Sequence, residues 1–243
     1  MFRLRFLVFF FILAILTSCK KPTEPPPRED GPTQELSPGI MPLKVGYYWD
    51  YEELLLDDDS SVLSVNDSYR YQIAEAVRTP EYQPDLLYVR QLVYPDNSAD
   101  PVEWLFRNYE DGLYLMGGRT ETDTLYEKLL FLRFPVDTGT SWPTQNLVYN
   151  FMDEKFYLRD TITYTCVDTN TLFAAKIGPI HCVVYFHRED SPEPDVRASY
   201  EIYDYFSPEI GLVGRMKYSI IPLRGRFPRF LLTLTSTNVP FTR

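Results

Sequence analysis

The feature that most constrains the fold is a period-two alternation of residue types that starts near Val45 and continues through the rest of the chain. Between Tyr69 and Ile73, for example, bulky residues alternate with the polar residues Arg70 and Gln72. Successive side chains of a strand point to opposite faces, so this pattern predicts strands. There are about twelve such runs, separated by Pro, Gly, Asn and Asp, and long helical patterns are absent. We therefore predict an all-β fold, with antiparallel strands in a curled sheet that forms a partial barrel or a sandwich.

Residues 1–18 have the composition of a secretory signal peptide. Arg3 and Arg5 precede an unbroken apolar run at residues 6–16, which is too short to span a bilayer as a helix of about 20 residues. The run ends in Leu16-Thr17-Ser18-Cys19, which resembles the lipobox of bacterial lipoproteins, where the cysteine is acylated and the signal is removed on its amino side. We predict that Cys19 carries fatty acyl chains such as palmitate and attaches the protein to a membrane.

The segment 19–42 is rich in proline and polar residues and lacks apolar periodicity. Such a segment is either an extended spacer that holds the domain away from the membrane or a disordered spacer of no specific length. We therefore predict a tether here and a single β domain at 43–243. The residue after Cys19 is Lys20, not Asp. By resemblance to well-studied Gram-negative lipoproteins, the lack of Asp at this position is compatible with delivery to the outer membrane. We expect an outer-membrane, periplasm-facing protein, with the inner membrane or the cell surface as alternatives.

The charge of the mature chain excludes one class of partner. Removing the signal takes Arg3 and Arg5 from the 24 basic residues, which leaves 22 basic against 34 acidic residues and a net charge of −12. Nucleic acids and anionic lipid surfaces are bound by clustered Lys and Arg, which displace counterions. We therefore expect no nucleic-acid partner.

The motifs of common enzymes and metal sites are missing from the sequence. His181 and His187 are the only histidines, and six positions on one strand separate them by about 20 Å, too far to share an ion. No Gly-x-Ser-x-Gly or phosphate-binding glycine loop occurs. Paired carboxylates from distant strands would leave no spacing signature. We predict a non-enzymatic protein with no catalytic residues, no metal and no cofactor.

Cys166 and Cys182 are the two cysteines downstream of the anchor, in a compartment where disulfides persist. They are either a disulfide or two buried free thiols. A strand-like run at 172–177 separates them, and in a three-stranded meander the outer strands lie about 9.5 Å apart, beyond disulfide reach. Both alternatives remain open.

The chain is unusually rich in tyrosine, with 19 of them. Tyr47 and Trp49 lie on the first strand, and Tyr203 and Tyr205 lie on one near the end. Aromatic residues on an open sheet face stack on sugars or hold apolar ligands, so these four are candidates for a ligand face. The alternative is an ordinary aromatic core, which large antiparallel sheets favour.

Two eight-residue stretches, 42–49 and 135–142, share Pro, an aliphatic residue, Gly and Trp at identical spacing. This pattern predicts two equivalent strand starts, each with a turn, a glycine of positive φ and a tryptophan that enters the core.

The second half contains Phe134-Pro135 with Gly139 and Trp142, a turn at 176–182 that ends in Cys182, and a Tyr-x-Tyr-Phe-x-Pro-x-x-Gly-Leu-Val element at 203–213. These motifs resemble those of an uncharacterised family of bacterial lipoproteins. The sequence departs from the family pattern at Ile180-His181 and at Glu209. The resemblance implies a lipid-anchored β domain. It implies no activity.

Together these features predict a membrane-anchored lipoprotein that acts as a structural or interaction module of the cell envelope, with an envelope protein as its partner. The alternative is a half-barrel binding module for an apolar or glycan ligand.

Overall fold

The computed structural model describes residues 39–190 and 199–241. The signal peptide, Cys19 and nearly all of the expected tether lie outside these residues. Thirteen strands follow one another in the order β1 (Tyr48–Leu56), β2 (Val62–Val77), β3 (Leu87–Val93), β4 (Ala99–Tyr109), β5 (Gly112–Arg119), β6 (Thr124–Leu125), β7 (Leu129–Arg133), β8 (Ser141–Asn150), β9 (Lys155–Ala175), β10 (Gly178–Asp190), β11 (Ser199–Ser207), β12 (Gly211–Ile221) and β13 (Gly225–Thr237).

All thirteen strands belong to one antiparallel sheet with the order β6-β5-β4-β3-β2-β1-β13-β12-β11-β10-β9-β8, and β7 pairs with β5 beside β6. The predicted all-β class and antiparallel sheet are confirmed. A short 3-10 turn at Pro80–Tyr82 is the only helical element of the described residues. None of the helices described is long and apolar enough to cross a membrane.

The two stretches with shared Pro, Gly and Trp start β1 and β8 in the same way, as predicted. Gly46 and Gly139 both have a φ of 88°. The amide of Gly46 donates to the carbonyl oxygen of Ile73 at 2.9 Å, and that of Gly139 donates to the carbonyl oxygen of Cys166 at 2.7 Å. Each glycine therefore turns the chain into a strand that pairs with the next one.

This equivalence extends beyond the strand starts. Trp49 lies opposite Tyr71 on the neighbouring strand, and Trp142 lies opposite Tyr164 in the same relation. The sheet is thus built from two similar halves, β1–β7 and β8–β13.

The two halves meet differently at their two junctions. Between β1 and β13 the junction is a backbone ladder from Trp49 to Leu55. At the opposite junction, which we call the open seam, β7 and β8 are not neighbours in the hydrogen-bonded order of the described strands. Side chains make the contact instead: the rings of Phe131 and Tyr164 lie 5.7 Å apart, as do those of Trp104 and Phe156. The sheet is therefore curled but not closed, as expected of a partial barrel.

The main apolar core of the described residues includes part of the segment that precedes β1. Ile40, Met41 and Leu43 are buried there beside Trp49, whose indole N–H donates to the carbonyl oxygen of Ile210 at 2.5 Å. The folded domain therefore begins ahead of the boundary expected at residue 43. The reason is that apolar residues at the end of the Pro-rich segment have a core to enter.

The strand assignment near the cysteines differs from the prediction. The run at 172–177 was expected to be a strand separate from the one that carries Cys166, yet both belong to β9, a strand of 21 residues. Asp168 lies between them and pairs with Val184, and register shifts in this part of the β9–β10 ladder accommodate the irregular sequence.

Candidate functional site

The inner face of the sheet carries charged and aromatic side chains beyond the apolar core. We call this set the inner cluster; it comprises Tyr51, Tyr69, Tyr71, Arg90, Asp204 and Arg215. Arg90 on β3 and Arg215 on β12 lie four strands apart, a distance of about 19 Å across a flat sheet. They nevertheless influence each other electrostatically, and Arg215 also acts on Tyr51. The curvature of the sheet brings these residues together.

Three tyrosines form one wall of the inner cluster. The rings of Tyr51 and Tyr71 lie 5.6 Å apart, and those of Tyr69 and Tyr71 lie 5.3 Å apart, both in edge-on geometry. The Tyr51 hydroxyl donates to the carbonyl oxygen of Leu212 at 2.7 Å. Burial, together with the neighbouring tyrosines, raises the pKa values of Tyr51 and Tyr69 well above their usual range. These hydroxyls therefore remain protonated hydrogen-bond donors near neutral pH.

Arg215 and Asp204 form a two-pronged ion pair inside the curled sheet. Arg215 Nε lies 2.5 Å from Asp204 Oδ1, and the second N–H group lies 3.2 Å from Oδ2. Burial lowers the pKa of Arg215 while Asp204 raises it, and the net shift is upward. The Asp204 side chain is 0% exposed, whereas that of Arg215 is 38% exposed. Water therefore reaches the inner cluster on the Arg215 side.

Arg90 is the unpaired cation of the inner cluster. Its guanidinium carbon lies 4.4 Å from the ring centre of Tyr71 and 4.6 Å from that of Phe106. Its Nε atom is buried and has no hydrogen-bond partner. Burial lowers the pKa of Arg90. Arginine keeps its charge even so, because its usual pKa lies above 12.

His187 lies beside the inner cluster and contacts a ring and two carboxylates. Its ring lies 4.5 Å from that of Tyr164, and its Nε2 atom is 3.3 Å from Glu189 Oε1. Its Nδ1 atom is buried and unpartnered, 3.9 Å from Asp204 Oδ2. The bond with His187 lowers the pKa of Glu189. Throughout the described ranges, no group of three or more His, Cys, Asp or Glu side chains could hold a metal ion.

The four residues predicted to form a ligand face do not lie together. Trp49 is fully buried in the core, and Tyr47 packs against that core. Tyr203 and Tyr205 alternate along β11 with the inward Asp204, so they face the outer side of the sheet. The ring of Phe173, from the end of β9, lies 4.5 Å from that of Tyr205. The prediction of one open face from these four residues is therefore wrong.

Cys166 and Cys182 are both free and buried. Cys166 pairs with Tyr185, which lies three positions beyond Cys182 on β10, or about 10 Å along the strand. This exceeds the Cα separation of about 7 Å that a disulfide tolerates. The disulfide alternative is wrong, because the cysteines lie on neighbouring strands but out of register. The geometry differs from the predicted meander, since no separate strand intervenes.

Two pockets lie near the inner cluster. The first, of about 290 Å³, lies around the ion pair of Asp50 and Arg70, and its lining includes Tyr51 and Tyr69. The second, of about 50 Å³, lies in the open seam and is lined by apolar side chains together with polar residues of β8. Phe131 and Tyr164 are part of the lining of this seam pocket.

Sequence reasoning identified part of this site. The bulky face of the run from Tyr69 to Ile73 is the inner face, as its alternation indicates. Arg90, Asp204 and Arg215 were missed, because each is one charged residue among many and its partners come from other strands. The alternation of residue types did not show that Arg90 faces inward. Its neighbour Val89 points to the opposite face and is buried there in a small outer core, so the apolar residue of the pair is not the inward one.

Comparisons with known proteins give a fold and no family. No family model matches the chain, and no curated protein matches it either. Among solved structures, it is similar to a candidate lipoprotein from Parabacteroides distasonis ATCC 8503, with a TM-score of 0.51 and 12% identity over 82% of this chain and 98% of that one. It is also similar to a candidate exported protein with a YmcC-like fold from Bacteroides fragilis NCTC 9343, with a TM-score of 0.50 and 9% identity over the same shares. The chain therefore shares the fold of these two bacterial proteins.

Proposed function

We propose that this chain is a lipid-anchored, non-enzymatic module of the bacterial cell envelope. The observation that carries the proposal is the sequence Leu16-Thr17-Ser18-Cys19 at the end of an apolar signal segment. Cys19 would carry the lipid, and residues 20–38 would connect it to the β domain. The β domain would then act as a structural or interaction module for an envelope protein.

The fold and the motifs of the second half support this proposal. One structure of similar fold is named as a candidate lipoprotein and the other as a candidate exported protein. In the Tyr-x-Tyr-Phe motif region, Phe206 and Val213 are buried and Gly211 has a φ of 93°, so the motif residues build a turn and its core. This architectural role supports membership in the uncharacterised lipoprotein family that the motifs resemble.

The anchor is tested by replacing Cys19 with Ala in a bacterial host that is fed radiolabelled palmitate. The wild-type protein should incorporate label and sediment with membranes, and Cys19→Ala should do neither. The matched control is Cys182→Ala, which removes a buried thiol and should leave labelling unchanged. Unchanged labelling of Cys19→Ala would exclude the lipid anchor.

The location is tested by separating membranes on a density gradient and treating intact cells with protease. Recovery with the outer membrane and protection from protease are the results expected of a periplasm-facing protein. Recovery with the inner membrane, or cleavage in intact cells, would replace this location with one of the two alternatives. Crosslinking in intact envelopes, followed by purification of the wild-type protein and of Cys19→Ala, should recover an envelope partner only when the anchor is present.

A second candidate function is favoured by the exposure of Arg215. A module with a purely structural role has no need for water to reach a charged residue inside its sheet, yet 38% of the Arg215 side chain is exposed. We therefore also propose a half-barrel binding module, with the ligand on the inner face of the sheet. A panel of soluble apolar and glycan ligands should raise the Tm of the full-length protein if this function is correct. A panel that leaves Tm unchanged would exclude it.

A further inference from the structure

Arg90 is a partly buried arginine with no carboxylate partner. Six of the twelve described arginines, at positions 70, 107, 119, 188, 215 and 226, each form an ion pair, and Arg90 belongs to the other six. Across residues 39–190 and 199–241, no ion pair or hydrogen bond includes Arg90, and its Nε atom is shielded from water. A partly buried cation with a shielded, unpartnered N–H group and no carboxylate beside it has a physical reason to bind an anion.

The contacts that hold Arg90 in place do not satisfy its donors. Tyr71 and Phe106 offer ring faces to the guanidinium, and such cation–π contacts offset part of the cost of burial. They leave the N–H groups free to donate to an acceptor that enters the cluster. The planar fork of arginine matches the two oxygens of a carboxylate.

The carboxylates near the inner cluster already have partners, which leaves Arg90 as the one unpaired cation of the cluster. Asp204 is bound by Arg215, Glu189 contacts His187, and Glu53 accepts a hydrogen bond from Asn66 at 2.6 Å. Within the inner cluster, no second unpaired cation is available to balance a second negative charge on a ligand. One negative charge is therefore favoured over two.

A row of aromatic rings connects Arg90 to the open seam. Phe106, which contacts Arg90, lies 6.0 Å from Phe131, and Phe131 lies 5.7 Å from Tyr164. Phe131 and Tyr164 line the seam pocket together with Leu115, Leu129 and Ile162. Because side chains alone close the seam, an apolar group can enter between them without breaking a backbone ladder.

We propose that the inner cluster binds a monocarboxylate with an apolar body, in which Arg90 binds the carboxylate and the aromatic row holds the body towards the open seam. The proposal rests on the binding-module function and names the ligand class of that site. Tyr69 and Tyr71 lie close enough to Arg90 to shape the polar end, while Arg215 remains bound to Asp204.

The experiment compares three soluble ligands with the same 3-phenylpropyl body, by titration calorimetry at about pH 9 on the full-length lipidated protein in detergent. At this pH 4-phenylbutyrate carries one negative charge, 4-phenylbutanol carries none, and 3-phenylpropylphosphonate carries close to two. We expect the carboxylate to bind at least about tenfold more tightly than the alcohol, as a charge-assisted hydrogen bond predicts. The carboxylate should also bind more tightly than the phosphonate.

Arg90→Gln should abolish the difference between carboxylate and alcohol. Arg188→Gln is the matched control, because it removes an exposed arginine, paired with Glu201, and should leave the difference intact. Arg90→Lys keeps the charge without the planar fork and should give an intermediate difference. If Arg90→Gln does not fold, the order of the three ligands on the wild-type protein decides the proposal by itself.

Each contrary result has a distinct meaning. Equal binding of carboxylate and alcohol, or no effect of Arg90→Gln, would overturn the carboxylate site and leave the binding module standing. Tighter binding of the phosphonate would overturn the restriction to one charge. Absence of binding by all three ligands would overturn the carboxylate site, while the ligand panel on Tm decides the binding module separately.

Discussion

The hydroxyl of Tyr51 on β1 donates a 2.7 Å hydrogen bond to the carbonyl oxygen of Leu212 on β12, two strands away in the sheet. The bond bypasses β13 and crosses the inner face, so it can form only when the sheet is curled. It links the strand start at Trp49 to the turn motif at Gly211.

Tyr51→Phe should therefore weaken the curled arrangement. The change removes the hydroxyl and leaves a buried carbonyl oxygen with one partner fewer, at a cost of about 1–2 kcal/mol in the free energy of unfolding. Urea denaturation followed by tryptophan fluorescence measures this cost. Tyr157→Phe, which loses an exposed bond to Asp153, is the control and should change stability by less than about 0.5 kcal/mol. Equal effects of the two variants would contradict the role of the Leu212 contact.

The ion pair of Arg215 and Asp204 should respond unequally to the loss of its two partners. Arg215→Met leaves the fully buried Asp204 carboxylate without a cation and should cost about 3 kcal/mol or more. Asp204→Asn leaves Arg215 partly in contact with water and should cost less. Chemical denaturation measures the free energy of unfolding of both variants. A larger loss of stability for Asp204→Asn than for Arg215→Met would show that contact with water does not compensate Arg215 for its lost partner.

Gly46→Ala and Gly139→Ala should have nearly equal costs. Both glycines have a φ of 88°, and a Cβ added at either would meet nothing within 4 Å. The cost is then purely conformational, about 1–2 kcal/mol at each site. The double variant should be additive, since the two turns share no partners. Val45→Ala, at a half-exposed position, serves as the control for urea denaturation, and a large difference between the two glycine variants would argue against equivalent turns.

Thiol reactivity should follow burial. In the lipidated mature protein, the thiol reagent DTNB should detect almost no fast-reacting thiol under native conditions and two thiols in denaturant, because Cys166 and Cys182 are free and buried. Detection of no thiols in denaturant, under non-reducing conditions, would show that a disulfide had formed.

Stability should fall in alkaline solution, and Cys182 should contribute. Burial raises the pKa of Cys182 from 9.0 to about 12. Between these values the unfolded chain loses the thiol proton while the folded protein keeps it, so rising pH favours unfolding. The free energy of unfolding is measured by urea titration in the presence of a reductant. Between pH 8 and pH 10.5 it should fall by about 2 kcal/mol less for Cys182→Ala than for the wild-type protein. Identical losses would exclude a contribution from this thiol.

The strands were largely predictable because alternation and turn residues act over a few positions. The strand starts at Gly46 and Gly139 followed from the shared spacing, since a glycine of positive φ and a buried tryptophan are local requirements. The long β9 strand was expected to be two strands, because the sequence does not show that the ladder with β10 continues through Asp168.

The sequence by itself determined the β class, the antiparallel strands, the equivalent strand starts and the placement of Tyr69 and Tyr71 on one face, because each depends on neighbouring residues. Only the tertiary structure decided that Tyr47 packs against the core and that Tyr203 faces outward. It also decided that Arg90 lies unpaired beside Phe106. The reason is that the burial and partners of a side chain depend on which distant strand covers it, and the curvature of the sheet sets that relation.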